Sequence, residues 1–124
     1  MKKKKLLIIT TGGTIAMKYD AEFGIVQNDE LDEYLLNFPQ IRNVADIDVE
    51  EFTNIPSPYV SPEIMFKLAR LVEERILEYD GIIITHGTDT MEETAYFLDL
   101  VVTTHKPVVF TAAMRSESDL VSCH

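Results

Sequence analysis

Three short runs in this chain are apolar without interruption: Leu6-Leu7-Ile8-Ile9, Ile82-Ile83-Ile84 and Val108-Val109-Phe110. A strand with one wet face alternates apolar and polar residues, so an unbroken run signals a strand covered on both faces. Lys5 to Thr11 accordingly reads as a buried strand closed by Gly12-Gly13, Ile82 to Thr85 as a second and Pro107 to Thr111 as a third. Covering both faces takes helices, and the sequence between the runs supplies them.

Ser61 stands as an N-cap, Pro62 suits the first helical position, and Glu63 meets the positive end of the helix dipole. Ile64, Leu68, Leu71, Val72 and Ile76 then repeat at helical spacing, which predicts a helix from residue 62 to about Tyr79. Thr90 and Glu93 have the spacing of a capping box for a helix running to about Val102. Asp29 to Phe38 can form a short helix stopped by Pro39. Val44 to Phe52 alternates apolar and acidic residues and reads as a strand with one wet face. The three prolines of Asn54 to Glu63 make a rigid connection, and Met17 to Asn28 has no period and reads as a mobile loop.

Strands alternating with helices imply right-handed crossovers and a parallel sheet, hence an α/β fold. Ligands of such sheets bind beyond the carboxyl ends of the strands. Thr14, Ser57 and Thr88 each follow a strand and are expected on one rim.

The chain has 124 residues, one domain's worth or part of a larger protein, with 46% apolar and 26% charged residues. Its net charge is −10, although four of its eleven Lys and Arg residues are Lys2 to Lys5. Such a surface repels nucleic-acid phosphates and anionic lipid, so neither nucleic acid nor membrane is expected as a partner. The basic leader is followed by only four apolar residues, Leu6 to Ile9, where a signal peptide needs roughly 7–15. No run approaches the roughly 20 apolar residues of a membrane span. Cys123 is the single cysteine, so no internal disulfide can form, and a cytoplasmic location is expected.

The chemistry concentrates in two glycine turns, "ITTGGTIA" from Ile9 and "ITHGTDT" from Ile84. Neither has the glycine spacing of a dinucleotide fingerprint or the Gly-Lys-Ser/Thr of a P-loop. As nucleophile turns they make more sense. Glycines let backbone N–H groups approach an oxyanion, and a threonine hydroxyl attacks a carbonyl carbon once a base takes its proton. Thr88 and Asp89 put a hydroxyl and a carboxylate directly before a helix N-terminus, which suits a substrate carboxylate, while Asp89 can bind an α-ammonium. Acyl transfer on a small zwitterion is the chemistry implied, although Thr-Gly turns after strands are commonly only turns. His86 lies between a buried strand and Gly87 and reads as a structural, hydrogen-bonded histidine; His105 and His124 read as solvated. The three are too scattered for a metal cluster, and no metal or cofactor is expected.

"TTGGTIA" and "ITHGTDTMEETAYFLDL" closely resemble the two signature motifs of the bacterial-type L-asparaginases, the asparaginase/glutaminase amidohydrolases. "KPVVFTAAMRS" resembles the strand that follows in that family, where glycine is usual at the position of Ala112. The resemblance covers essentially the whole chain. It implies a three-layer, Rossmann-like parallel sheet forming the N-terminal domain of such an enzyme, and hydrolysis of L-asparagine to L-aspartate and ammonia without cofactor or metal. L-glutamine is a second substrate on this reading. Thr14 matches the family nucleophile, Thr88 and Asp89 match the second catalytic threonine and the substrate-binding aspartate, and Ser57 matches the serine that holds the α-carboxylate. Gly13 is expected beside the substrate.

The resemblance also carries departures. The family's lysine that activates the second threonine lies past His124, and so does the second domain by which a neighbouring subunit completes the site in oligomeric relatives. A loop tyrosine assists the nucleophile in many members; the register here places Gly24 there, with Tyr19 the nearest phenol. Pro58 follows Ser57 where some members have a polar residue, which bears on asparagine against glutamine. The chain is therefore expected to be a truncated first domain, weakly active or inactive alone. A non-catalytic amino-acid-binding fragment and an amidotransferase-related subunit are the alternatives.

Overall fold

The structure, a computed structural model, describes residues 3–12, 17–20, 24–27 and 43–112, with only the backbone described at 17–20 and 24–27. Its strands are β1 (Lys4–Thr10), β2 (Met17–Asp20), β3 (Gly24–Gln27), β4 (Ala45–Glu51), β5 (Gly81–Thr85) and β6 (Val108–Thr111). Helix α1 (Pro62–Arg75) lies between β4 and β5, and α2 (Met91–Val101) between β5 and β6. Strands β1, β4, β5 and β6 form one sheet, ordered β4-β1-β5-β6, with every neighbouring pair parallel. The expected α/β architecture is present. The direction of chain travel reverses between β1 and β5, which marks the crevice where such sheets take ligands.

Register explains how the core is assembled. Leu7 lies beside Ile82, and Ile82 beside Val108; Ile9 lies beside Ile84, and Ile84 beside Phe110. Partners in a ladder share a face. This face meets Leu68, Ala69 and Val72 of α1, Ile76 just beyond it, and Leu98 of α2 in one core cluster. Ile9, Ile84 and Val72 have no exposure at all, and each such burial contributes about 1.5–3 kcal/mol. The two helices therefore cover the same side of the sheet.

On the other side Ile83 is half-buried and Val109 is 52% exposed. The third strand is thus not the buried one that its apolar run suggests. It is the last strand of the described sheet, and an apolar run alone does not separate an edge from a centre. The ladder begins at Val108, since Pro107 has no N–H to give, although its carbonyl still accepts from Ile82 N at 3.0 Å.

The alternation read in residues 44–52 forms β4. Asp48 and Glu50 share the helical side with Leu7 and Ile9. There the Tyr79 hydroxyl donates to Asp48 Oδ2 at 2.6 Å, and Arg75 Nε donates to Glu50 Oε1 at 2.8 Å. With both side chains about a third exposed and screened by solvent, that ion pair adds little to stability and chiefly fixes where α1 ends against β4.

Helix α1 starts as its sequence predicts: Ser61 Oγ accepts from Ile64 N at 3.2 Å and Pro62 opens the first turn. It continues as a tight turn over Ile76–Glu78, so the expected helix to about Tyr79 is two segments. Helix α2 differs from expectation. Thr90 occupies the N-cap position but its side chain makes no capping bond, so the Thr90–Glu93 box does not form. Its hydroxyl is used elsewhere, as described below.

The loop expected over Met17 to Asn28 contains β2 and β3, an antiparallel pair with Met17 opposite Gln27 and Asp20 opposite Gly24. Strands of four residues are too short to display a period. The helix expected over Asp29 to Phe38 lies outside the described residues. Among those described, no helix is long and apolar enough to cross a membrane.

Candidate functional site

At the carboxyl ends of β1, β4 and β5 the backbone is stitched by threonine hydroxyls. Thr11 donates through both N (3.2 Å) and Oγ1 (2.6 Å) to the Thr85 carbonyl, locking the ends of β1 and β5 together. The Thr11 carbonyl in turn accepts from Ile55 N at 3.1 Å and Thr53 Oγ1 at 2.9 Å. The segment leaving β4 is thereby drawn across the tops of β1 and β5. Of the hydroxyls crowded around the first glycine turn, that of Thr11 is spent on the scaffold.

The two glycine turns admit this segment. Gly12 has φ +106°, a conformation that side chains resist, and a Cβ there would lie 2.5 Å from Ile55 O and 2.6 Å from Ile55 N. At Gly87 a Cβ would lie 2.7 Å from Ser57 Cβ and 2.8 Å from its Oγ. Both glycines give room to residues 54–57 of the chain itself.

Ser57 opens a short turn, Ser57–Tyr59, and is buried. Its Oγ accepts from Asp89 N at 3.0 Å and Thr90 N at 3.3 Å. A serine hydroxyl has two lone pairs and one proton, so these two donors leave the proton free to be donated onward. Thr90 Oγ1 donates to the Ser57 carbonyl at 2.8 Å. In front of this buried serine, Thr88 and Asp89 are exposed. Ser57, Thr88 and Asp89 are therefore brought to one place on the rim; of the three residues expected there from their positions after strands, Ser57 and Thr88 are described. Gly13 and Thr14 lie outside the described residues; Gly12, immediately before them, is on the same rim.

His86 fills the floor. It is 1% exposed, its Nδ1 is 2.8 Å from the Gly87 carbonyl, and its ring lies 5.9 Å from that of Phe110. Burial, above all, pushes its pKa below the usual histidine range, opposed by the bond to Gly87 and the charge of Glu93. A neutral ring donating from Nδ1 leaves Nε2 as an acceptor, and that buried atom has no partner among the described residues. The ring is the buried, structural histidine that its position between β5 and Gly87 suggests.

The buried Ser57 hydroxyl, behind an exposed hydroxyl and carboxylate at the start of α2, can hold a small zwitterion. The Ser57 proton suits its carboxylate and Asp89 its ammonium. Among the described residues no three His, Cys, Asp or Glu side chains are grouped as metal ligands would be. Thr11, Thr53 and Thr90, which build the rim, carry no sequence signal of that role beyond the density of threonines beside the glycines.

Comparison with known proteins identifies relatives of this chain. The family model described as "Asparaginase, N-terminal" matches residues 5–122. The chain is 39% identical over 117 residues to a "Probable L-asparaginase periplasmic" of Haemophilus influenzae, covering 92% of this chain and 34% of that protein. It is 42% identical over 110 residues to one subunit of the glutamyl-tRNA(Gln) amidotransferase of Archaeoglobus fulgidus, covering 88% of this chain and 26% of that one. The crystal structure of a "Probable Cytoplasmic L-asparaginase" from Campylobacter jejuni superimposes with a TM-score of 0.83 at 42% identity, over 97% of this chain and 38% of that chain. The chain thus spans between about a quarter and a third of the length of these curated relatives.

Proposed function

The chain belongs to the asparaginase family, matching its N-terminal domain, and from that premise we propose that it forms the substrate-holding part of an amidohydrolase acting on L-asparagine. The observation that carries this reading is the Ser57 hydroxyl, which accepts from the Asp89 and Thr90 N–H groups and so keeps its proton for an incoming carboxylate. The Asp89 carboxylate takes the α-ammonium, and the side-chain amide then projects toward the turn after β1.

In the proposed reaction Thr14 Oγ attacks the amide carbon as its proton passes to a base, for which Tyr19 and Asp89 are the candidates. N–H groups of the Gly12-Gly13 turn face the oxyanion. The amide nitrogen takes up that proton and leaves as ammonia; water placed by Thr88 then attacks the carbonyl carbon of the Thr14 ester, releasing L-aspartate and returning a proton to Thr14 Oγ. The relatives are longer, and the 124 residues alone are expected to turn over slowly, as part of a homo-oligomer when built into a full-length protein. Cytoplasm is the proposed compartment; among the relatives named above, one name specifies cytoplasmic and one periplasmic. The likeness to an amidotransferase subunit makes L-glutamine the second substrate to assay.

The test is ammonia release by purified protein with either amide, in wild type, Thr14→Ala and Thr88→Ala. Loss of the nucleophile or of proton transfer should lower release by about 10²–10⁴-fold. Where wild type releases ammonia above background, release that is unchanged in Thr14→Ala refutes the proposed chemistry.

A further inference from the structure

We infer that Thr90 is a positioning residue, whose grip on Ser57 turns the serine proton toward the substrate carboxylate. The inference rests on the amidohydrolase reading and adds to it a residue that does not itself touch substrate.

A threonine at the N-cap of a helix ordinarily turns its hydroxyl back onto that helix to accept from one of its first N–H groups. Thr90 forgoes this bond. Its Oγ1 reaches instead to the carbonyl of Ser57, 33 residues earlier in the chain, at 2.8 Å. That carbonyl already accepts from Val60 N at 3.0 Å, closing the Ser57–Tyr59 turn, so the Thr90 bond fills its second lone pair. At the same time Thr90 N reaches Ser57 Oγ at 3.3 Å beside Asp89 N at 3.0 Å. Thr90 thus holds Ser57 at both ends, the carbonyl through its hydroxyl and the hydroxyl through its N–H.

The consequence is directional. A free serine hydroxyl rotates among three staggered positions and can donate or accept in each. With both lone pairs of Ser57 Oγ engaged by N–H groups from the start of α2, one tetrahedral direction remains, and the proton occupies it. Ser57 is 3% exposed, so it has no room to choose another rotamer once the turn is fixed. Removing the Thr90 hydroxyl frees the Ser57 carbonyl, lets the turn drift from α2, and lengthens the two bonds that aim the proton. Binding suffers more than the bond-making step, because the α-carboxylate is remote from the amide carbon.

Thr90→Val keeps the shape and removes the hydroxyl; Thr90→Ser restores it. Amide hydrogen exchange at Asp89 and Thr90 reads the two bonds to Ser57 Oγ directly, and titration with L-aspartate reads the grip on a carboxylate. Thr90→Val is expected to lower protection at both amides by about tenfold and to weaken L-aspartate binding by about 3- to 10-fold, the range of one neutral hydrogen bond. In protein with measurable turnover, KM for L-asparagine rises by the same factor with kcat within about twofold. Thr90→Ser returns each value to within about twofold of wild type. The inference is overturned if Thr90→Val leaves protection and affinity unchanged, if kcat falls in place of binding, or if Thr90→Ser fails to rescue. Should protection follow the hydroxyl while wild type itself neither binds L-aspartate nor releases ammonia, the amidohydrolase reading is what fails, and the carboxylate falls with it as the object of the grip.

Discussion

Gly87→Ala, measured with and without Ser57→Gly, tests the claim that the glycine turns exist to admit residues 54–57. The added Cβ would lie 2.7 Å from Ser57 Cβ, 2.8 Å from Ser57 Oγ and 3.2 Å from Ser57 N. Ordinary carbon contacts are about 3.5–4.0 Å, so Ser57 must retreat by roughly 1 Å. Its bonds from Asp89 N, Thr90 N and Thr90 Oγ1 cannot all survive that displacement. Three neutral bonds at about 0.5–1.5 kcal/mol each, offset by about 0.4–1 kcal/mol from the stiffer unfolded chain, predict a loss of about 1–4 kcal/mol. In a Ser57→Gly background the Cβ and Oγ that collide are gone and the same alanine should cost less than about 1 kcal/mol. The coupling energy from urea denaturation of the four proteins is then about 1–3 kcal/mol. Costs that add to within about 0.5 kcal/mol would refute the close-approach argument. Gly12→Ala is the contrast: it meets backbone atoms of Ile55 at a positive φ, so no side-chain deletion should relieve it.

Two predictions concern protons. Donation to Asp48, foremost, pushes the Tyr79 phenol up to about 12, so alkaline titration of tyrosinate absorbance should show one phenol ionising near there. Raised above its unfolded value of about 10, this group contributes stability that is full below about pH 10 and lost as pH rises through about 12. In Asp48→Asn the late phase should move toward about 10, and its persistence would remove Asp48 as the cause. His86 works at the other end: burial lowers its pKa, so the unfolded chain takes up a proton first as pH falls below about 6.5. Stability from this group is therefore present above about pH 6.5 and lost progressively until pH passes the folded value. The His86 ring resonance should titrate below about 6.5 and the slope of stability should flatten in His86→Gln; a midpoint at or above 6.5 contradicts the burial argument.

The parallel sheet was legible because Leu6 to Ile9 and Ile82 to Ile84 are apolar on consecutive residues, the pattern of strands in a sheet whose faces are covered by helices. Helix α1 was legible because Ser61, Pro62 and Glu63 act locally and its apolar stripe spans four turns. Long-range pairing was not. Thr90 and Glu93 have the spacing of a capping box, yet the Ser57 carbonyl competes for the hydroxyl from 33 residues away. Gly12 and Gly87 suggest room for a ligand, whereas the neighbouring atoms are those of Ile55 and Ser57. The pairing of β2 with β3 was hidden by strands of four residues, and the exposure of Val109 by the fact that an edge strand can be as apolar as a central one. Thr88 and Asp89 reach the rim because they follow β5, whereas Ser57 reaches it through the bonds of Thr11 and Thr90, which no local pattern displays.

The segment crossing the rim also divides what sequence drift can and cannot reach. Residues 53–57 are wedged between two turns that admit no Cβ, so a change of path there would demand simultaneous changes at Gly12, Gly87 and Thr90. Single substitutions explore such a region poorly. The next two residues, Pro58 and Tyr59, are exposed, and Tyr59 is 71% so. They ride on the same turn with little packed over them. Variation can therefore accumulate at positions 58 and 59, at the mouth of the site, while the frame that carries them stays still. On the proposed amidohydrolase reading, a laboratory search for altered amide preference should randomise those two positions first.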